Sequence, residues 1–166
     1  MLHALELLPD DAGEEAVRRD WQALHDAGLP SQLDHTGASN APHVTLLAAP
    51  DVAAAADLAV GHLGALLPLE VRAAGLLVFG RHRLTLARAV DVPDALLAAV
   101  LDLRAATGAL PHQGWLPHVT LARRLERADL QRAVDAVGAE DVVLRLTTLR
   151  RWDPDEKTIE LLVSVA

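Results

Sequence analysis

Cysteine is absent from the 166 residues, which excludes disulfides and thiolate chemistry. Aromatic side chains make up only 2% of the chain: Trp21, Phe79, Trp115 and Trp152. The core must therefore be aliphatic, built from the Ala, Leu and Val that dominate a chain that is 51% hydrophobic. Positive charge is in deficit, with 15 Lys and Arg against 23 Asp and Glu, a net of −8. Long nucleic acid is held by clustered cations facing phosphates, so no stable complex with it is expected. A small anion, or one nucleic-acid end, stays compatible if arginines are focused in a cleft. No uncharged apolar stretch reaches the roughly 18 residues of a membrane span. The start, MLHALELLPDD, lacks the basic region and apolar run of a secretory signal. The expectation is a monomeric, cytoplasmic protein of one domain, 1–166, at a length that suits one unit or two small lobes.

Periodicity and turn residues predict the elements in order. A strand over 2–8 precedes a helix over 11–27, whose Val17, Trp21 and Leu24 share a core-facing side. A Ser-, Gly- and Asn-rich loop covers 31–41, followed by a strand over 43–48 and an Ala-rich helix over 51–66. Strands over 69–79 and 83–90 flank the turn Gly80-Arg81-His82. A helix over 93–107, a loop over 109–115 and a strand over 116–122 come next. A helix over 126–137 and a hairpin, 142–152 with 157–165, complete the chain.

What the chain does contain is a repeat. Pro-His-Val-Thr-Leu occurs at 42–46 and again at 117–121. After each copy the order is helix, strand ending in an aromatic, tight turn, strand. Phe79 and Trp152 fall at matching places and are read as core. The first repeat covers about 1–90 and the second about 83–166, with the middle strand shared.

Alternate strand residues face the same way. His43 therefore shares a face with Thr45, and His118 with Thr120, while Val44 with Leu46 and Val119 with Leu121 form apolar faces. A pseudo-two-fold would bring two imidazoles and two hydroxyls together across a groove. Paired imidazoles suit phosphodiester chemistry, because one takes a proton from the attacking oxygen as the other gives one to the leaving oxygen. The hydroxyls suit hydrogen bonding to non-bridging phosphate oxygens. No cofactor or metal is required.

Two His-x-Thr-apolar motifs, PHVTLLA from Pro42 and PHVTLAR from Pro117, resemble those of the 2H phosphoesterase superfamily. Within it the chain is most similar to the bacterial 2′-5′ RNA ligase family, also described as RNA 2′,3′-cyclic phosphodiesterases. The resemblance covers essentially the whole chain. It implies an α+β, bilobed, duplicated strand–helix fold with two antiparallel sheets facing a central cleft. It also implies hydrolysis of 2′,3′-cyclic phosphates, with reverse 2′-5′ ligation. By the same resemblance His43 is the acid, His118 the base, and Thr45 and Thr120 hold phosphate oxygens. The substrate is an RNA 3′ end or a small cyclic nucleotide. An alternative is a module that binds a nucleotide or phosphate in the same cleft without turnover. The intact state of both His-x-Thr pairs speaks against it.

Further candidates lie near the motifs. Arg123 and Arg124 follow the second one, and parity from Thr120 puts Arg124 on the histidine face. Trp115, three residues before His118, is a candidate cleft edge for stacking on a base. His3, on the first strand, is a candidate border of the cleft. His25 and His62 lie on helices, and His35, His82 and His112 in loops or turns. None has metal-ligand spacing, so no metal site is expected. Replacing either His43 or His118 by Ala is expected to slow 2′,3′-cyclic nucleotide turnover by about 10²–10⁴-fold. The assay is product formation in EDTA, where the unaltered protein keeps its full rate.

Overall fold

The computed structural model describes residues 1–37, 39–108, 110, 112 and 114–166. Positions 38, 109, 111 and 113 of the two predicted loops lie outside them. Among the described residues, seven strands and four helices follow the predicted order: β1 His3–Pro9, α1 Asp11–Asp26, β2 Val44–Ala49, α2 Ala53–Leu63, β3 Leu69–Phe79, β4 Arg83–Asp91, α3 Asp94–Ala106, β5 His118–Glu126, α4 Leu130–Val137, β6 Val142–Asp153 and β7 Thr158–Ser164. The helix after the second motif starts later than expected, because β5 continues through Arg123 and Arg124 to Glu126. A 3₁₀ turn, Arg127–Asp129, then leads into α4. α1 begins where the Asp10 carboxylate accepts from Gly13 N at 2.9 Å, a regular N-cap. Its Val17, Trp21 and Leu24 are buried as their spacing predicts.

The strands form one hydrogen-bonded network, β2-β1-β6-β3-β4-β5, with β7 also paired to β6. Every pairing is antiparallel. The two expected sheets are halves of this network, joined along β6. Residues 142–146 of β6 pair with β3, and its later residues pair with β7. β1 pairs along the opposite edge of β6 and carries β2 beyond it. The hairpin after the first motif thus supports the second motif's strand, because β4 pairs with β5. The hairpin after the second motif supports β1 and, through it, β2. Among the described residues no helix is long and apolar enough to cross a membrane.

The two motif strands, β2 and β5, stand at opposite ends of this order, yet they pack against each other. The sheet therefore curls until its edges meet. Both strands carry the same irregularity. Leu5 pairs with Leu47 and Glu6 with Thr45, so Leu46 is an extra residue in β2. Leu86 pairs with Ala122 and Ala87 with Thr120, so Leu121 is an extra residue in β5. Each bulge falls on the last residue of a PHVTL copy. Leu46 and Leu121 are both fully buried.

A bulge disrupts the ladder locally, and a buried carbonyl needs a donor from elsewhere. At each bulge a tryptophan provides one. Trp115 Nε1 donates to Thr45 O at 2.9 Å, and Trp21 Nε1 donates to Thr120 O at 3.1 Å. Arg104 of α3 donates from Nη1 to Leu46 O at 2.8 Å and from Nη2 to Gly114 O at 2.9 Å. Its pKa is lowered from the ordinary arginine value by burial. The ties cross over. α1, which leads to the first motif, caps the second, while α3 and Trp115, which lead to the second, cap the first.

Trp21→Phe keeps an aromatic ring in the core but removes the N–H. The orphaned Thr120 carbonyl alone is expected to cost about 1–3 kcal/mol of stability, read from the urea midpoint.

Candidate active site

The first motif opens onto a cavity of about 930 Å³. His43 and Thr45 line it, and Ala48 extends the same wall beyond the bulge. β5 contributes Arg123 and Arg124, and β6 contributes Arg150 and Trp152. The face of β1 turned to the cavity carries Ala4 and Glu6. Ser31, Gln32 and Asn40 close one side. A second cavity, about 470 Å³, holds the buried Arg88–Asp20 pair and none of the motif residues.

The two histidines are anchored alike. His43 Nδ1 donates to Ala41 O at 2.7 Å, and His118 Nδ1 donates to Leu116 O at 2.7 Å. A carbonyl only accepts, so the proton on each Nδ1 is fixed. Only Nε2 of each ring is left to take or give a proton. This matched tautomer comes from the chain doubling back to the carbonyl two residues earlier.

Their surroundings differ. His43 Nε2 lies 3.4 Å from Glu6 Oε1, and Glu6 Oε2 accepts from Arg150 Nε at 2.8 Å. His118 meets the ring of Phe79 edge-on, with centroids 5.3 Å apart. Thr45 is half-buried, and Thr120 is buried.

The parity expectation for the arginines fails by one residue. The bulge at Leu121 shifts the count, so Arg123 takes the place in β5 that Ala48 takes in β2. Arg124 reaches the same cavity by a second irregularity, where Arg123 and Arg124 oppose the single Thr85. Its φ of 61° is left-handed, which is rare for a residue with a side chain. The sequence carries no Gly or Asn there to announce it.

Three other expectations are corrected. His3 does not border the cavity: it shares its strand face with the buried Leu5 and Leu7, opposite Ala4 and Glu6. At the strand end its Nδ1 lies 3.5 Å from Asp153 Oδ2 and its Nε2 3.0 Å from Asp155 Oδ2. Backbone N–H groups of Glu156 and Asp155, with His3 and Arg151 nearby, hold the Asp153 carboxyl below its usual range. Trp115 packs against the core and spends its N–H on Thr45 O, so it ties the motif strands together rather than offering a face to the cavity. Phe79 and Trp152, read as core, are respectively exposed and half-buried. Phe79 borders His118, and Trp152 lines the His43 cavity. Strand ends next to turns leave their aromatics at the rim.

Glu6, Arg104 and Arg150 were not singled out by their sequence pattern. The signal for Glu6 was a lone carboxylate in an otherwise apolar strand, Leu5-Glu6-Leu7. Arg104 and Arg150 gave no local signal, since their partners are distant in the chain.

The profile of the 2′-5′ RNA ligase superfamily matches residues 9–158. None of the curated proteins matches this chain. Solved structures share its fold over nearly its full length. Kluyveromyces marxianus Usb1 is 15% identical with a TM-score of 0.55, covering 98% of this chain and 97% of its own. The MHV ns2 PDE domain is 18% identical with a TM-score of 0.53, covering 99% of each chain. A structure described as a phosphoesterase is 16% identical with a TM-score of 0.51, covering 99% of this chain and 95% of its own.

Arg124→Gly is expected to be more stable than Arg124→Ala by about 1–2 kcal/mol, because only glycine adopts the left-handed backbone without a Cβ penalty. Paired urea titrations measure the difference.

Proposed function

The chain belongs to the 2′-5′ RNA ligase superfamily, and on that premise we propose that it hydrolyses 2′,3′-cyclic phosphates by paired-histidine acid–base catalysis. Phosphodiester chemistry is the class this membership supports. The observation that carries the finer reading is the matched pair of Nδ1–carbonyl bonds on His43 and His118. Each bond leaves Nε2 as the single proton-exchanging atom, and the packing of β2 on β5 puts the two motif strands side by side.

In this reading water attacks phosphorus and gives its proton to Nε2 of His118. The bond from phosphorus to the 3′ oxygen breaks, and Nε2 of His43 protonates that oxygen. The product is a 2′-phosphate beside a free 3′ hydroxyl. Thr45 and Thr120 donate to the non-bridging oxygens, where preorganised donors stabilise developing charge. Arg123 and Arg124 focus positive potential at the cavity of an acidic chain, which suits a small anionic substrate or the 3′ end of an RNA. Ligation to a 2′-5′ linkage is the reverse transesterification, with a 5′ hydroxyl in the place of water. The matched bulges and tryptophan caps support reading 1–90 and 83–166 as two copies of one unit, each supplying half of the site.

A product-resolved assay tests this. Its panel is 2′,3′-cyclic mononucleotides and oligoribonucleotides with 2′,3′-cyclic ends. The expected product is the 2′-phosphate. Tight binding with no product after long incubation would overturn hydrolysis in favour of a binding module.

A further inference from the structure

Glu6 is a charged group in a place with little water. Its side chain is only 7% exposed although it lines the cavity. A buried carboxylate is costly unless it is paired. Arg150, itself 5% exposed, supplies the pair through Nε at 2.8 Å and is held in turn by Nη2 donating to Ser39 O at 2.9 Å. That pairing occupies Oε2. Oε1 is left facing Nε2 of His43 at 3.4 Å.

What lies between those two atoms is decided by the rest of the ring. His43 Nδ1 already carries a proton, committed to Ala41 O. Were Nε2 bare, its lone pair would face a carboxylate oxygen. With a proton on Nε2, the same contact is an ion pair. His118 repeats the Nδ1 anchor, but among the described residues it has no carboxylate within ion-pair reach, and its ring meets Phe79 instead. The fold thus gives two otherwise matched histidines unlike partners.

We propose that Glu6, held by Arg150, is a positioning residue that faces the Nε2–H of protonated His43 between turnovers and so makes His43 the acid of the pair. This rests on the paired-histidine reading above. When the bond to the 3′ oxygen breaks, the proton passes from His43 Nε2 to that oxygen. Water's proton has meanwhile gone to His118 Nε2. The cycle closes when His118 releases its proton to solvent and His43 regains one, again against Glu6. No oxidant, metal or co-reactant enters the balance.

An acid matters only for a leaving group that needs a proton. A 2′,3′-cyclic nucleotide and its analogue with sulfur bridging at the 3′ position have the same shape, but the thiolate departs unprotonated. Glu6→Gln is expected to slow the oxygen substrate at least about tenfold in kcat while leaving the sulfur substrate nearly unchanged. His43→Ala is expected to show the same selectivity, more strongly. His118→Ala is expected to slow both. Equal loss on the two substrates in Glu6→Gln, or no loss on either, would overturn the role of Glu6. Full activity of both histidine variants would instead overturn the paired-histidine reading itself. Because Glu6→Gln leaves Arg150 buried against a neutral side chain, the comparison is repeated in the Glu6→Gln, Arg150→Met double variant. That variant leaves no unpaired charge, and the same selectivity is expected.

Discussion

An extra residue in an edge strand breaks the regular ladder, and a buried carbonyl at such a point must find another donor. In this chain that constraint arises twice, at Thr45 and Thr120, and indole N–H groups meet it both times. The donors come from the far half of the chain in each case. The two bonds therefore tie the ends of one sheet together. There β2 packs against β5. Two of the three tryptophans are spent on these carbonyls.

The site inherits both symmetry and its breaking from this frame. Each histidine is anchored through Nδ1 to the carbonyl two residues before it, so the two Nε2 atoms are prepared in the same way. The neighbours are unlike. The β1 strand brings Glu6 to one, and the tip of β3 brings Phe79 to the other. A single buried ion pair, Glu6 with Arg150, distinguishes the surroundings of two histidines anchored alike. The bulge at Leu121 re-aims β5 so that Arg123 reaches the cavity, and a second irregularity brings Arg124 to it. Arg123, Arg124 and Arg150 thereby line one cavity of an acidic chain.

Most elements could be read from the sequence because each has a strong local period and ends in Gly, Pro or Asp. The motif residues could be read because His and Thr repeat at strand spacing within a longer repeat. What stayed hidden was non-local or irregular. Parity counting assumes an unbroken pleat, and the bulge at Leu121 breaks it two residues before the arginines. His3 was placed by the same parity as Leu5 and Leu7, which is the core face and not the cavity face. The partners of Glu6, Trp115 and Arg104 lie too far along the chain for any local pattern to reveal. Nor does sequence order reveal that the hairpin after each motif supports the strand of the other.

In the proposed mechanism one phosphate sits between the imidazoles of His43 and His118. A crystal structure with a nucleoside vanadate or inorganic phosphate bound tests it directly. The anion is expected within hydrogen-bond reach of Nε2 on both His43 and His118, with the hydroxyls of Thr45 and Thr120 on its remaining oxygens. An anion held by one histidine alone, or seated away from both, would contradict the account.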